Sequence, residues 1–303
     1  MASEQLQTII QTLRSRRTSG QDLDIIAART AFEGVTSFFP TPDDVTCEKV
    51  DADGVPGEWI SAPGADPETV VYYLHGGAYS VGSVNSHRQL IANISRATGA
   101  RAFAIDYRLA PENPFPAAIE DATKAYRWLL NRGIDPARVV LAGDSAGGGL
   151  AAATLLSLRD AGDPLPAAAV LISPWTDMEG LGESMKTKAD VDPMIAPDTL
   201  GEGASAYLGG ADPRNPLASP IHADLSGLPP MLIQVGGSEV LLDDSTRLAA
   251  KAEADGVDVT LEVWDEMIHV WHFFAVMLPE GQQAIDRIAE FLRQHVPAIA
   301  RAT

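Results

Sequence analysis

Short apolar runs alternate with longer amphipathic stretches along most of the chain. A weak antiparallel pair of strands is predicted near Thr46–Ala52 and Gly57–Ala62, before the pattern becomes regular. The later runs, rich in Val, Ile and Leu, have the length of buried strands: Thr69–Leu74, Arg101–Tyr107, Arg138–Ala142, Ala167–Ile172, Met231–Val235 and Val259–Val263. Helical spacing of apolar residues marks Ala117–Leu130, Ala146–Leu158 and Leu242–Ala254. This alternation indicates an α/β fold with a mostly parallel, eight-stranded sheet covered by helices on both faces.

Two segments interrupt this alternation. The first forty residues predict two helices, near Glu4–Arg14 and Leu23–Phe32. In the second helix, Leu23, Ile26, Ala27 and Thr30 are predicted to form a mostly apolar stripe. Residues 178–228 contain five prolines among many Gly and Asp, and they are too long for an ordinary connection between a strand and a helix. We therefore predict a helical cap made from residues 1–40 and an insertion at about 178–228, on a domain that spans residues 41–303.

The pentapeptide Gly143-Asp144-Ser145-Ala146-Gly147 follows one predicted strand and begins a predicted helix. Glycine at both ends lets the chain turn in a strained geometry that presents the serine hydroxyl above the sheet. Ser145 is therefore the candidate nucleophile. Free N–H groups at the start of a helix favour negative charge, so the Ala146 amide is a candidate donor to an oxyanion. The alternative is a glycine-rich turn without a chemical role.

A second glycine motif, His75-Gly76-Gly77-Ala78, ends the first run of the regular pattern. Adjacent glycines bring backbone amides close to a substrate carbonyl, so we expect Gly76 and Gly77 to complete an oxyanion hole. His75 precedes the serine, whereas the base of such a site follows the acid in the chain. We therefore expect His75 to have a structural role.

The base and the acid are expected after the serine, in the order serine, acid, histidine. His269 follows the last predicted strand, where a triad histidine belongs, and His272 is the alternative. The acid is expected after the next-to-last predicted strand, where Glu239 lies in the loop. We predict Glu239 as the acid. Asp243 and Asp244 are the alternatives, and both are also placed to complement the dipole of the next helix.

These motifs, with the intervening Asp106-Tyr107-Arg108-Leu109-Ala110-Pro111-Glu112 and the ending Ile268-His269-Val270, resemble the hormone-sensitive-lipase-like esterases, also called bacterial esterase family IV. The resemblance extends over about residues 70 to 275. It implies an α/β-hydrolase fold whose cap is made from the N-terminal helices and the long insertion. It also assigns Asp106 and Arg108 to packing and loop-holding roles. The family more often has Asp in the acid loop, and a third glycine after the pair of glycines.

The predicted function is a serine carboxylesterase that hydrolyses short-chain or compact acyl esters through an acyl-enzyme intermediate. Ser145 is expected to attack the acyl carbon, His269 to take its proton and Glu239 to stabilise the charged ring. This chemistry needs neither a metal nor an organic cofactor. A lactone hydrolase of the monoterpene-lactone type is an alternative by resemblance. A non-catalytic ligand-binding protein on the same fold is the other alternative.

Composition and charge restrict the partners. The chain of 303 residues has 46% hydrophobic and 21% charged residues, which is typical of a globular protein. Its formal net charge of −19 repels phosphate backbones and anionic membranes, so we expect a small-molecule ester substrate and neither nucleic acid nor membrane as partner. The single cysteine, Cys47, fits a reducing compartment. Without a signal-peptide pattern or a membrane-length apolar run, the expected location is the cytoplasm.

The last predicted strand, Val259–Val263, is expected at an edge of the sheet. Members of the resembled family often pair such edges, so we expect a homodimer through this strand. The polar residues Asp258, Thr260 and Glu262 allow the alternative of a solvated edge protected by charge.

Overall fold

The predicted α/β architecture is confirmed. The computed structural model describes residues 3–17, 24–34 and 39–296. Its single eight-stranded sheet has the order β1-β2-β4-β3-β5-β6-β7-β8, in which β1 pairs antiparallel with β2, β2 pairs antiparallel with β4, and the remaining neighbours are parallel. The strands are β1 (Thr46–Asp51), β2 (Pro56–Ser61), β3 (Asp66–Leu74), β4 (Ala100–Ile105), β5 (Val139–Asp144), β6 (Ala168–Ile172), β7 (Met231–Gly236) and β8 (Val259–Trp264).

The sheet separates two apolar cores. Successive side chains of a strand point to opposite faces, so Tyr72 and Leu141 contribute to one core while Val71 and Val140 contribute to the other. Every residue of the central strand β5 is buried. Burial on both faces explains why the parallel strands have nearly continuous apolar sequences.

Helices cover both faces of the sheet. Those of eight or more residues are α1 (Glu4–Arg17), α2 (Ile25–Glu33), α3 (Val84–Thr98), α4 (Ala117–Asn131), α5 (Ala146–Ala161), α7 (Pro197–Leu208), α8 (Leu242–Ala254) and α9 (Pro279–His295), and α6 (Ser184–Thr187) is a single turn. The predicted helices that correspond to α4, α5 and α8 are confirmed. Helix α3 was not predicted from the sequence. Ser83 and Ser86 form a capping box at its start, and Gly99 ends it with φ 67°. None of the helices in the described ranges is long and apolar enough to cross a membrane.

The two N-terminal helices differ in how they pack. In α1, Leu6 and Ile9 are buried against Met267 and Ile268, which directly precede His269. No residue of α2 is buried, and Ile26 is 64% exposed, so the predicted apolar stripe of this helix does not face a core. Leu23, where this helix was predicted to begin, lies outside the described residues. The N-terminal segment therefore contacts the rest of the protein next to the histidine loop.

The long insertion is folded and partly helical. It contains α6, α7 and a 3-10 turn at Pro220–His222. In α7, the Tyr207 ring stacks on Tyr79 with 3.7 Å between centroids, and the carbonyl of Tyr207 accepts a hydrogen bond from Phe115 N at 2.7 Å. These contacts place α7 over the loop that follows β3, beside the second glycine motif.

Candidate active site

Ser145 occupies a sharp turn between β5 and α5. Its φ and ψ are 54° and −122°, a conformation that costs energy for a residue with a side chain. Neighbouring loops hold its backbone, because Ser145 N donates to Ile172 O at 2.8 Å and Trp175 N donates to Ser145 O at 2.9 Å. A Cβ at Gly147 would lie 2.1 Å from Leu74 O, so only glycine fits this close approach between α5 and β3. The local geometry is the strained elbow that the pentapeptide predicts.

His269 and Glu239 meet in a buried hydrogen bond. His269 Nδ1 lies 2.6 Å from Glu239 Oε2, and both side chains are at least 95% buried. Burial acts to lower the pKa of His269, but the charge of Glu239 and the hydrogen bond to it outweigh burial, and the pKa is raised above 6.5. With Nδ1 bonded to the carboxylate, Nε2 is the ring nitrogen that is left to accept a proton.

The second oxygen of Glu239 is fixed by two donors. Gly236 N donates to Oε1 at 2.6 Å and Ser173 Oγ donates to it at 2.8 Å. Ser173 Oγ also accepts a hydrogen bond from Val270 N at 3.2 Å, so it joins the acid loop to the histidine loop. Sequence reasoning missed Ser173. Its position directly after β6, at the carboxyl edge of the sheet, is the signal that could have identified it.

The alternative acids and the alternative base are engaged elsewhere. Asp243 Oδ2 accepts from Ser184 N at 2.9 Å, and Asp244 Oδ2 accepts from Thr176 N at 2.8 Å. His272 Nε2 lies 2.8 Å from the side-chain oxygen of Gln234. Burial lowers the pKa of His272 to about 3, so its ring is neutral. Of the sequence-predicted candidates, the structure brings together Glu239 and His269.

The structure corrects the expectation for Gly76. Its N–H donates to Asp144 Oδ1 at 3.1 Å and also approaches His87 Nε2 at 3.2 Å, so this amide is already engaged. Within the described part of the chain, the N–H groups of Gly77 and Ala78 donate no hydrogen bond. Ala78 has φ 51°, which turns the backbone after the glycine pair. The free amides of this loop are therefore one residue further along the chain than the sequence suggested.

A buried network holds this loop against the elbow. Besides Gly76, Asp144 Oδ1 accepts from Tyr73 Oη at 2.8 Å, and Asp144 Oδ2 lies 3.4 Å from His87 Nε2. Burial acts to raise the pKa of Asp144, but His87 and Tyr73 outweigh it and the pKa is lowered. Asp144 therefore stays ionised between the loop after β3 and the turn after β5. Asp144 is part of the pentapeptide, but its local sequence does not indicate this role.

The other motif residues have structural contacts. The His75 ring stacks on Tyr107 with 4.2 Å between centroids, and burial lowers the pKa of His75 to about 3. Asp106 Oδ1 accepts from Val84 N at 2.7 Å, at the start of α3. Arg108 Nε donates to Asp121 at 3.0 Å. These contacts agree with the structural role expected for His75 and with the loop-holding roles implied for Asp106 and Arg108.

The insertion contacts the acid loop through two side chains, Ser184 and Asp192, which we call the Val240 clamp. Asp192 Oδ2 accepts from Val240 N at 2.9 Å, and Ser184 Oγ donates to Val240 O at 2.6 Å. Both backbone groups of the residue after Glu239 are thus bound by the insertion. Asp192 Oδ1 accepts from Met194 N at 2.8 Å and Ile195 N at 2.9 Å, which fixes the carboxylate in place.

Two cavities lie near these loops. One of about 130 Å³ lies beside Trp175, whose backbone bonds to Ser145, and is lined by Trp175, Asp177, Met178, Glu179, Gly180, Met185, Pro197, Leu200 and Gly201. The other, of about 290 Å³, lies between α1, α2 and the segment after His269, and is lined by Thr8, Ile9, Thr12, Leu13, Phe32, Phe39, Ser86, Met194, Phe273, Phe274 and Met277. The larger cavity is almost entirely apolar.

One group of side chains in the described residues could offer three ligands to a metal ion. Asp177, Glu179 and His222 have ligand atoms within 4.8 Å of one another. However, Asp177 Oδ2 already accepts from Arg247 Nη1 at 2.7 Å, so a cation occupies this carboxylate. Asp177 and Glu179 also line the cavity of about 130 Å³.

Comparisons with known proteins agree with this geometry. A family profile described as alpha/beta hydrolase fold matches residues 71–273. An acetyl-hydrolase of Streptomyces hygroscopicus is 53% identical over 236 residues, which cover 78% of this chain and 79% of that protein. A crystal structure of an esterase from the bacterial hormone-sensitive lipase family is 51% identical, with a TM-score of 0.95, and covers 98% of this chain and 99% of its own. The crystal structure of EstE5 soaked with p-nitrophenyl butyrate is 50% identical, with a TM-score of 0.94, and covers 98% of this chain and 100% of its own.

The similar proteins are named as hydrolases of esters. They support the predicted carboxylesterase, and they favour neither the lactone hydrolase nor the non-catalytic binding protein. The protein is a carboxylic ester hydrolase. By its matched profile, its similar structures and its sequence identity to them, the chain belongs to the hormone-sensitive-lipase-like esterases of the α/β-hydrolase fold.

Proposed function

We propose that Ser145, His269 and Glu239 form the catalytic triad of this carboxylesterase. The single observation that carries the proposal is the buried 2.6 Å hydrogen bond between His269 Nδ1 and Glu239 Oε2, because it fixes the tautomer that a base needs. Ser145 follows β5 and His269 follows β8, so both lie at the carboxyl edge of the sheet. The strained elbow supports the assignment of Ser145 as nucleophile.

In this mechanism, the chemistry proceeds through two tetrahedral intermediates. Ser145 Oγ attacks the carbonyl carbon of the ester while its proton passes to His269 Nε2. His269 then gives this proton to the departing alcohol, which leaves the acyl group on Ser145. Water attacks the acyl-enzyme and gives a proton to Nε2, and that proton returns to Ser145 Oγ as the carboxylic acid leaves. Glu239 stabilises the imidazolium that forms in each step.

We further propose that the N–H groups of Gly77, Ala78 and Ala146 bind the oxyanion. The predicted donors Gly77 and Ala146 remain in this set, and Ala78 replaces Gly76, whose amide is bound to Asp144. Ala146 is the first residue of α5, where backbone N–H groups lack helical partners. Each such donor contributes about 10²- to 10³-fold to the rate.

The decisive experiment compares the parent with Ser145→Ala on p-nitrophenyl butyrate. We expect the substitution to lower kcat by about 10⁶-fold, down to the background of the uncatalysed assay. Circular dichroism and a melting curve on the same samples establish that the variant is folded. A folded Ser145→Ala protein with the parent rate would refute the triad.

The substrate range is proposed to favour short or compact acyl groups. The cavity of about 130 Å³ beside Trp175 is close to the nucleophile turn and too small for a long acyl chain. EstE5, a similar structure, was soaked with p-nitrophenyl butyrate, a short-chain ester. Initial rates on p-nitrophenyl esters from acetate to palmitate test this, and we expect the maximum at the short end. A maximum at palmitate would reject the size argument.

We also propose that the N-terminal segment and the insertion act as the cap of this esterase, with boundaries near residues 1–40 and 178–228. The packing of Leu6 and Ile9 beside the histidine loop and the placement of α7 by Tyr207 support this division. Removal of the N-terminal segment should alter KM for long and bulky esters more than for acetate, because acetate needs the least contact with a cap.

A homodimer through β8 is our proposal for the assembly. In the described sheet β8 pairs with β7 on one side only, and Val263 on this edge strand is 43% exposed. Sedimentation of the parent and of Val263→Lys tests it, since a charge on the edge should shift a dimer to monomer. A monomeric parent would favour the solvated edge. The cytoplasmic location and the absence of nucleic-acid and membrane partners stay predictions.

A further inference from the structure

The acid of the proposed triad is held by a part of the chain that belongs to neither glycine motif. Glu239 is followed by Val240, and the two side chains of the Val240 clamp bind both backbone groups of Val240. Ser184 lies 56 residues and Asp192 lies 48 residues before Val240 in the sequence. Long-range contacts of this kind fix a loop only while the insertion is itself in place.

We propose that Asp192 is a positioning residue of this esterase, which holds the Glu239 loop through the N–H of Val240. The proposal rests on the triad assignment above, because the position of Glu239 matters for the rate only if Glu239 is the acid. Asp192 is 1% exposed, and within the described residues its carboxylate accepts from the backbone N–H groups of Val240, Met194 and Ile195.

The carboxylate of Asp192 makes a set of contacts that a neutral amide cannot make. Both of its oxygens accept from N–H groups, so an amide at this position would direct its own NH2 group against a donor. A buried carboxylate is costly unless donors of this kind satisfy it. Ser184 binds the carbonyl of the same residue, Val240, through a neutral hydroxyl. A substitution of Ser184 is therefore the natural comparison for a substitution of Asp192.

Asp192 also acts on His269 through space. Burial acts to lower the pKa of His269, whereas the carboxylates of Glu239, Asp192 and Asp144 act to raise it, and the net effect is a raised pKa. The neighbouring His272 is neutral, because its burial lowers its pKa to about 3. Removal of the charge at Asp192 should therefore lower the pKa of His269, and a purely structural contact would leave that pKa unchanged.

The experiment measures kcat, KM and the acid limb of kcat/KM for the parent, Asp192→Asn and Ser184→Ala on p-nitrophenyl butyrate. We expect Asp192→Asn to lower kcat by about ten- to hundredfold, with KM within about threefold of the parent. Its acid limb should move to lower pH. Ser184→Ala should lower kcat less and leave the acid limb in place. A folded Asp192→Asn enzyme with the parent kcat and acid limb would overturn the proposal.

A second pair of variants tests whether Asp192 acts through Glu239. In a Glu239→Gln background, Asp192→Asn should lower the residual kcat by less than about threefold, because the group that it positions has already lost its function. An equal loss in both backgrounds would overturn the proposal. If Asp192→Asn does not fold, Ser184→Ala becomes the test of whether the Val240 clamp holds the Glu239 loop. A parent-like kcat for Ser184→Ala would then reject this role.

These outcomes separate this proposal from the proposed function. If Ser145→Ala or Glu239→Gln retains the parent rate, the triad assignment itself fails. If both of these variants lose activity while Asp192→Asn and Ser184→Ala keep it, the triad stands and only the positioning role of Asp192 is rejected.

Discussion

The two halves of the proposed catalytic site are built by different means. The nucleophile half, residues 76–78 and 143–147, is shaped by backbone segments that approach too closely for side chains. The acid half, the loops of Glu239 and His269, is shaped by side chains from distant elements, namely Ser173 after β6 and Ser184 and Asp192 in the insertion. Close approach of backbone segments thus predominates in the first half, where the Asp144 network adds polar contacts. Side-chain hydrogen bonds over long sequence distances predominate in the second half, where Gly236 also lies close to Met267 O.

The two halves should therefore respond differently to substitution. Close approach is intolerant of any added atom, so a side chain added at a glycine of the nucleophile half should disturb the fold. A hydrogen bond contributes only about 0.5–1.5 kcal/mol on balance, so a substitution in the acid half should leave the fold largely intact and lower the rate.

Among substitutions in the acid half, the largest effect is expected for Glu239→Gln. The amide has nearly the shape of the acid but cannot stabilise an imidazolium, so kcat should fall by about 10³- to 10⁴-fold. Initial rates on p-nitrophenyl butyrate measure the change, and a melting curve should show a folded protein. Glu253→Gln, on the exposed side of α8, is the matched control and should keep the parent rate. A Glu239→Gln enzyme near the parent rate would assign the acid role to another carboxylate.

In the nucleophile half, Gly147→Ala should reduce stability. The new Cβ would lie 2.1 Å from Leu74 O and 2.5 Å from His75 O, and these backbone atoms cannot move without displacing β3. We expect a loss of about 3 kcal/mol or more in the free energy of unfolding, measured by urea denaturation. Gly201→Ala in α7 is the control, because open space surrounds Gly201 and alanine favours a helix. An unchanged free energy of unfolding for Gly147→Ala would contradict the claim that close backbone approach shapes the nucleophile half.

Ser173→Ala should have an intermediate effect on the rate. It removes one of the two donors to Glu239 Oε1 and the acceptor of Val270 N, so the acid and the histidine lose their shared contact. We expect kcat to fall about tenfold while KM changes little. Ser226→Ala, on the surface, serves as the control. If Ser173→Ala proved as damaging as Glu239→Gln, Ser173 would have to contact the reacting atoms.

The smallest effect concerns the pH profile of the parent. As the proposed base, His269 must be neutral to accept the proton of Ser145, so kcat/KM should rise with pH as the ring deprotonates. Because the pKa of His269 is raised, mainly by Glu239 against the opposing effect of burial, the midpoint of this rise should lie above 6.5. A pH profile of kcat/KM from 5 to 9 measures it. A midpoint clearly below 6.5 would mean that burial dominates over the carboxylate.

The sequence was most informative where local geometry alone determines the structure. The alternation of apolar runs predicted all eight strands to within a few residues, and the glycine motifs predicted the elbow at Ser145. The preference for Glu239 over Asp243 and Asp244 also rested on local position. In the structure the loop residue Glu239 contacts His269, whereas Asp243 contacts Ser184 and Asp244 contacts Thr176.

The sequence was least informative where a contact depends on the assembled fold. Gly76 was expected to donate to substrate, but the side chain of Asp144 takes its N–H, and no spacing rule reveals that competition. Ser173 reaches Glu239 from 66 residues away and Asp192 reaches Val240 from 48 residues away, and nothing in their local sequence predicts these contacts. The α2 stripe failed for a related reason, since a periodic pattern does not establish that a partner surface is present.

The Val240 clamp has a consequence for protein engineering. Exchange of residues 178–228 with a homologous insertion is an obvious way to alter which esters the enzyme accepts. Such a chimera would remove Ser184 and Asp192 together with most of the lining of the smaller cavity. A transplanted insertion should therefore be chosen to retain a hydroxyl and a carboxylate at these two positions. Otherwise a change intended to alter selectivity would also slow every substrate alike.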